Sequence, residues 1–374
     1  MVESSERQRW CLVGLSLVRG LGAVRIARLI AHFGSPGAAW TASPEALARV
    51  RGIGPATAAA IVAARGANLV DGQLQRAAGA GARVVTWLDA GYPARLRGIP
   101  ASPPVVYVRG GWSDDRPAVA IVGTRRATAY GLGVAERLAA ALAELGITIV
   151  SGLARGIDAA AHRAVVRIGG STVGVLGCGV DVAYPPEHRT LIQAMSVHGG
   201  VLAEAPVGAP PERGAFPARN RLISGLADVV IVVEGDVRSG ALITARLAAA
   251  QGRTVFAVPG NVYARASRGP HRLLAAGAKI ITGPEDVLAA LGRPATGGPP
   301  GAASRTAALG LAPAERRLLA ALEDGEARPV DGLAASVGLD VSTAAAALVA
   351  LEMRGLVRRM TGGLYAADPA SRTP

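Results

Sequence analysis

The chain has 374 residues, half of them apolar, 18% charged and only 3% aromatic, which excludes a disordered polypeptide and calls for an aliphatic core spread over roughly two or three domains. Forty basic against 27 acidic side chains leave a net charge of +13, and such an excess points to a polyanionic partner. The longest uncharged apolar stretches, such as Ile168 to Val180, fall short of the ~18 residues a membrane span needs and are broken by glycine, so no membrane insertion is expected.

Met1 to Arg7 lacks the basic and apolar regions of a secretory signal, which makes the cytoplasm the expected compartment. Cys11 and Cys178, the only cysteines, are too few for a disulfide framework or a four-ligand zinc site and are read as reduced. Next comes an internal repeat: Val18-Arg19-Gly20-Leu21-Gly22-Ala23 returns 32 positions later as Val50-Arg51-Gly52-Ile53-Gly54-Pro55. An apolar residue between two glycines at the start of a helix is the pattern of a helix-hairpin-helix, whose amides can face a phosphate. Two readings stand, a DNA-associated helical module with Arg25 and Arg51 as phosphate contacts, and a packing device between helices.

From about Ala82 short aliphatic runs alternate with amphipathic stretches. Arg83–Trp87, Val105–Val108, Val119–Val122, Ile147–Val150, Thr172–Leu176, Val229–Val233 and Thr254–Val258 read as buried strands, with helices clearest at Leu132–Leu145 and Ala241–Ala250. This alternation predicts a mostly parallel, doubly wound α/β sheet that takes its ligand at the C-terminal strand ends. The only lysine, Lys279, lies between Ala278 and Ile280, so a G-x-x-x-x-G-K-[ST] phosphate loop is absent, as are a G-x-S-x-G elbow and an H-E-x-x-H helix.

Four segments stand at strand ends. Gly123-Thr124-Arg125 brings a hydroxyl and a guanidinium off the sheet. Ser151-Gly152-Leu153-Ala154-Arg155-Gly156-Ile157-Asp158 opens a helix, whose N-terminus favours an anion; Asp158 and His162, four apart, are read as a structural or capping contact in preference to a metal pair. Phe216-Pro217-Ala218-Arg219-Asn220-Arg221 sets a ring beside two guanidiniums, the combination with which proteins hold single strands, or else carries a core phenylalanine with solvated arginines. In Glu234-Gly235-Asp236-Val237-Arg238-Ser239-Gly240, followed by Thr244, Ser239 and Gly240 can cap a helix and offer amides, while Glu234 is either a general base without an adjacent nucleophile or a structural acid.

Gly292 to Ala312 is rich in proline and glycine and reads as a flexible linker. Beyond it, helices at Pro313–Leu322, Val330–Val337 and Ser342–Arg354, with Ser342 as the expected N-cap, precede a hairpin over Val357–Ala366 turning at Gly362-Gly363, the order of a winged helix.

These motifs, with Tyr92-Pro93, Tyr107-Val108-Arg109-Gly110, Tyr184-Pro185, Ser239-Gly-Ala-Leu-Ile-Thr and Val258-Pro-Gly in order, resemble DNA-processing protein A, the DprA/Smf family. The resemblance implies an extended Rossmann-like domain, flanked by a helix-hairpin-helix (SAM-like) module and a winged helix. It further implies a homodimer that binds single-stranded DNA and helps load the RecA recombinase on incoming strands in natural transformation. Carried over, the DNA-binding residues are Arg125, Ser151, Gly152, Gly156, Phe216, Arg219, Asn220, Arg221, Ser239 and Gly240; Gly123, Thr124, Arg155 and Thr244 of the same segments complete the candidate site. The expected division is 1–66 helical module, 67–292 Rossmann-like domain, 293–312 linker and 313–368 winged helix. No catalytic residue, metal or cofactor is expected. The rival reading is a phosphoribohydrolase-like enzyme on a related fold, against which Val237 to Ala245 carries no helical carboxylate where P-G-G-x-G-T-x-x-E would put one.

Overall fold

A computed structural model describes residues 4–66, 68–293, 311–322, 326–360 and 362–367; the expected linker lies almost wholly outside them. The chain divides into two units, Met1–Ala295 and Thr296–Pro374.

The first unit begins with helices α1 (Ser5–Leu17), α2 (Ala23–Phe33), α3 (Pro36–Thr41), α4 (Pro44–Ala48), α5 (Pro55–Gly66) and α6 (Leu69–Gly79). The sequence repeat folds twice into the same turn: Leu21 N–H donates to Val18 O at 3.0 Å, and Ile53 N–H to Val50 O at 2.9 Å. Gly20 and Gly52 have φ of 80° and 90°, a region that side chains disfavour, while Leu21 and Ile53 point into the core. Both hairpins are therefore helix-hairpin-helix turns. Arg25 turns its guanidinium back to Gly20 O at 2.6 Å, and Arg28 donates to Arg51 O at 3.2 Å, so the arginines that flank the turns also stitch them.

The nine-stranded sheet comprises β1 (Ala82–Thr86), β2 (Val105–Gly110), β3 (Ala118–Val122), β4 (Thr148–Ser151), β5 (Thr172–Leu176), β6 (Gly200–Ala203), β7 (Val229–Val232), β8 (Thr254–Ala257) and β9 (Lys279–Ile280), in the order β1-β2-β6-β5-β4-β3-β7-β8-β9. The pairs β1/β2 and β2/β6 are antiparallel and the rest parallel. Helix α7 (Ala94–Arg97) follows β1. One face carries α11 (Ala215–Gly225) and α12 (Gly240–Ala250) over Val122, Val150, Val175 and Val232. The other carries α8 (Ala129–Glu144), α9 (Ile157–Arg167) and α14 (Pro284–Ala290) over Val119, Ile121, Ile149 and Ile231. Alternate strand residues thus feed opposite cores, as a doubly wound sheet requires. The N-terminal helices pack with α10 (Arg189–His198), Val84, Tyr107 and Val201 in a third cluster; α13 (Arg268–Ala275) lies between β8 and β9.

The second unit contains α15 (Pro313–Ala321), α16 (Val330–Val337) and α17 (Val341–Met353), with β10 (Arg328–Pro329), β11 (Val357–Arg359) and β12 (Leu364–Ala367) in an antiparallel sheet ordered β10-β12-β11. This is a winged helix. Asp340, rather than the expected Ser342, caps α17: its carboxylate accepts Thr343 N–H at 2.9 Å and Thr343 Oγ1–H at 2.6 Å, so the helix starts earlier. Among the described residues no single helix is long and apolar enough to cross a membrane.

Candidate nucleic-acid interface

From β3 the chain winds outward through β4 and β5 to β6, then returns to β7 on the other side of β3. The β3/β7 boundary is the topological switch point, beyond whose C-terminal strand ends ligands of such sheets lie. The two loops leaving it are joined, because Thr124 N–H donates to Glu234 O at 2.8 Å. The Glu234 side chain is buried, accepting Thr128 N–H at 2.9 Å and Thr128 Oγ1–H at 2.5 Å. That carboxylate caps the start of α8 and is a structural acid.

Beside the switch point, over the ends of β4 and β5, Arg125, Gly152, Arg155, Tyr184, Phe216 and Arg219 line one cleft. Phe216 is half-buried in the first turn of α11. Its ring meets Tyr184 with centroids 5.1 Å apart and planes inclined at 36°, and the Arg125 guanidinium stands 5.9 Å from its centroid. A ring face beside a guanidinium suits a base and its phosphate. The cleft holds about 30 Å³, room for water and not for an enclosed nucleotide, so a ligand would lie across its rim.

Beneath the rim the floor is charged and buried. Arg219 is 7% exposed, donates from one terminal nitrogen to Gly152 O at 2.7 Å and to Val175 O, and leaves its buried Nε without a partner. Asp158 accepts the N–H groups of Gly152 at 3.1 Å and Ala154 at 3.4 Å. A Cβ on Gly152 would come within 2.5 Å of Arg219 Nη1 and 2.8 Å of Asp158 Oδ2, so only glycine passes between the two charges. Burial pushes the Arg219 guanidinium down to about 10, opposed by Asp158, and pushes the Asp158 carboxyl up, opposed by Arg219 and the surrounding amides. Where the sequence placed Arg219 among phosphate contacts, the structure makes it a strut that ties α11 to the ends of β4 and β5.

Arg125 and Arg155 are the exposed guanidiniums of the cleft. Arg155 donates to Glu187 Oε1 at 2.5 Å, so a phosphate there must compete with a carboxylate. Three other expected contacts are committed within the fold and do not line the cleft. Arg221 bonds both Glu204 carboxylate oxygens at 2.8 and 2.7 Å and Ala101 O at 3.0 Å. Ser151 is buried with its hydroxyl on Ile121 O at 2.6 Å, and Thr244 is buried in α12. Gly123 and Gly156 shape the backbone: side chains there would strike Ile157 and Thr124 O, respectively. Ser239, Gly240 and Asn220 form a separate place at the end of β7, where Ser239 Oγ accepts Ala241 N–H and Asn220 Nδ2 donates to Gly240 O, both at 3.4 Å.

Asp158 and His162 do not form the expected contact. His162 Nδ1 bonds Thr172 Oγ1 at 2.7 Å, and burial pushes this histidine down to about 3. No metal-binding cluster occurs among the described residues. Tyr184 lines the cleft without having been placed in the site by the strand-end motifs: its Tyr-Pro pair lies eight residues beyond the end of β5, just before the short 3-10 turn Pro186–His188.

Fold and cleft together define a Rossmann-like protein with an open polar and aromatic cleft beside its switch point and a winged helix later in the chain. The family model of DNA recombination-mediator protein A matches residues 83–292, and that of the DprA winged helix domain matches residues 302–363; the chain belongs to the DNA recombination-mediator protein A family. Protein Smf of Synechocystis is 41% identical over 295 residues, 77% of this chain and 73% of that protein. Protein Smf of Escherichia coli is 37% identical over 73% of this chain and 74% of its own length. Among solved structures, DNA processing protein A from Streptococcus pneumoniae superposes with a TM-score of 0.66 at 33% identity, covering 76% of this chain and 97% of that one. That of Helicobacter pylori, described for its single-stranded DNA binding mode, gives 0.51 at 32% identity over 56% of this chain and 95% of that one.

Proposed function

We propose that this chain is a non-enzymatic, single-stranded DNA-binding recombination mediator, which protects incoming strands and loads the RecA recombinase on them in natural transformation. The observation that carries the reading is the Arg125–Phe216–Tyr184 arrangement on an open rim, where bases of any sequence stack while the exposed guanidiniums of Arg125 and Arg155 take phosphates. Family membership and the single-strand binding described for the Helicobacter pylori relative support it. The absence of chemistry at the cleft is part of the proposal: Glu234 is spent on a helix cap, and α12 carries no carboxylate where the phosphoribohydrolase-like reading needs one. The protein acts in the cytoplasm as a homodimer, for which the edge strand β9, with Ile280 exposed, offers an unpaired side.

The test compares binding of a single-stranded oligonucleotide, its duplex and a free mononucleotide, with hydrolysis followed on the last and RecA filament growth on the first. Preference for the single strand with faster filament growth is expected. Tight mononucleotide binding with turnover would return the enzyme reading.

A further inference from the structure

Beyond the far side of the switch point, the loop after β8 carries an aromatic ring with no place in any core. Tyr263 is 91% exposed and its neighbour Val262 70%. The loop is nonetheless built firmly. Asn261 holds its tip, its Oδ1 accepting Tyr263 N–H at 2.9 Å and its carbonyl accepting Ala264 N–H at 3.0 Å. Gly235 N–H donates to Ala266 O at 2.7 Å and Gly269 N–H to Gly235 O at 2.8 Å, which laces this loop to the one after β7. Tyr130, at the start of α8, donates its hydroxyl to Pro259 O at 2.8 Å and fastens the loop from the β3 side.

Arg265 follows Tyr263 by two residues, Arg268 opens α13 just beyond it, and Arg238 lies on the loop after β7 to which this loop is laced; all three are exposed. Arg265 pairs with Asp236 at 2.6 Å, and this bond, with the Val237 N–H at 2.8 Å and a smaller pull from Arg268, holds that carboxyl below its ordinary range. The exposed start of α12 at Gly240 adjoins the same loop. A solvent-facing aromatic on a backbone-laced loop that also carries arginines offers the same residue types as Phe216 with Arg125. Both groups lie along one C-terminal sheet edge, separated by three to four strand spacings, about 14–19 Å.

We propose that the loop Asn261–Ala264 is a second base-stacking subsite for single-stranded DNA, with Tyr263 as platform and Arg238, Arg265 and Arg268 as phosphate partners. A strand seated at Phe216 continues over the loops after β3 and β7 to Tyr263. The inference rests on the single-strand reading of the cleft and adds to it a direction of travel and a longer footprint, within the ~4–16 nucleotides that one binding fold covers.

The experiment measures affinity of the full chain for oligothymidylates of about 5 and about 15 nucleotides. Tyr263→Ala, Tyr263→Phe and Phe216→Ala are compared with wild type, with solution mass recorded for each. Tyr263→Ala is expected to weaken the longer oligonucleotide about 5- to 100-fold and the shorter by less than about twofold, whereas Tyr263→Phe keeps both. Equal loss on both lengths, or no loss on either, overturns the second subsite. A changed solution mass with Tyr263→Ala also overturns it, by making the loop a contact between copies of the chain. If Phe216→Ala leaves every affinity intact, the cleft reading itself fails; if Phe216→Ala weakens binding and Tyr263→Ala does not, only the subsite fails.

Discussion

The C-terminal edge of the nine-stranded sheet and the exposed face of α17 are both places where folds of their kind take their ligands, and they are chemically opposite. The sheet edge carries guanidiniums and rings: Arg125 stands over Phe216, and Arg265 follows the exposed Tyr263 by two residues. Helix α17 stands where a winged helix carries its recognition helix, and its thirteen residues include one long polar side chain, Glu352. It turns Val341, Val349 and Met353 outward, the last 86% exposed. Bidentate base contacts come from arginine, lysine, asparagine or glutamine, none of which α17 carries; its exposed polar groups are Ser342, Thr343 and Glu352. The winged helix therefore presents short and apolar side chains on that face, and the guanidiniums and rings that the proposed strand binding calls for lie at the sheet edge.

The hardest way to break this contrast is to reverse a charge in each region. Arg219→Glu would set a carboxylate beside buried Asp158 where a guanidinium now holds Gly152 O. The expected cost is about 3–5 kcal/mol, enough to abolish the first unit's cooperative melt. Arg358→Glu on exposed β11 is expected to move no transition. A normal melt for Arg219→Glu with only weakened DNA binding would return Arg219 to the surface and undo the strut.

A second comparison sets ring against thioether. Phe216→Ala is expected to lower single-strand affinity by about 1–3 kcal/mol, with little change in melting because the ring is only half-buried; Met353→Ala is expected to leave affinity unchanged. Equal losses in a binding titration would mean that both surfaces touch the strand.

Why the two regions differ was partly legible beforehand. The repeated turns at Gly20 and Gly52 were readable because a turn is local, and seven strands were readable from their aliphatic runs. Strand β6 was not, since it begins with Gly200, where a side chain would collide with Arg109 O of the neighbouring strand; close backbone approach removes the β-branched residues that advertise a strand. Strand β9 has two residues and no periodicity to detect. Within the site, Arg125, Arg219 and Arg221 look alike in sequence. Only the tertiary placement of Gly152, Asp158 and Glu204 decides that the first faces solvent, the second is a strut and the third is ion-paired.

Acid should separate the two units more gently. Burial holds His162 at about 3, below the 6.5 of a free histidine, so the unfolded chain binds a proton that the folded one refuses. His162 therefore contributes its stability fully above about pH 6.5, and that contribution is lost as pH falls toward 3, by up to about 1.4 kcal/mol per unit. His188, also lowered by burial, acts in the same sense, whereas Asp158, raised by burial, acts in the opposite one. Residues 296–374 include no histidine. Melts at about pH 7.5 and about pH 5.5 should show the first unit losing stability and the second holding, and His162→Asn, which keeps a polar atom near Thr172 Oγ1, should flatten the first unit's response. An unchanged slope in that variant would move the acid sensitivity elsewhere.

The smallest effect is expected from deleting the winged helix. A chain ending at Ala312 loses an outward helix face of valine and methionine together with Arg354, Arg358 and Arg359, and should bind a single strand within about twofold of wild type, because the base platform and the exposed cleft guanidiniums remain. Salt dependence sharpens the point. Counting Arg125, Arg155, Arg219 and Arg221 as phosphate contacts gives a slope of log affinity on log salt of roughly −3, at about −0.7 per phosphate. With Arg219 buried as a strut and Arg221 paired to Glu204, Arg125 and Arg155 are left, and an oligonucleotide of about 5 nucleotides should give roughly −1.4 with or without the winged helix. A slope that falls toward zero on truncation would show that Arg354, Arg358 and Arg359 take phosphates after all. A slope near −3 that survives truncation would instead put Arg219 and Arg221 back on the strand and require the ion pair with Glu204 to open when DNA binds.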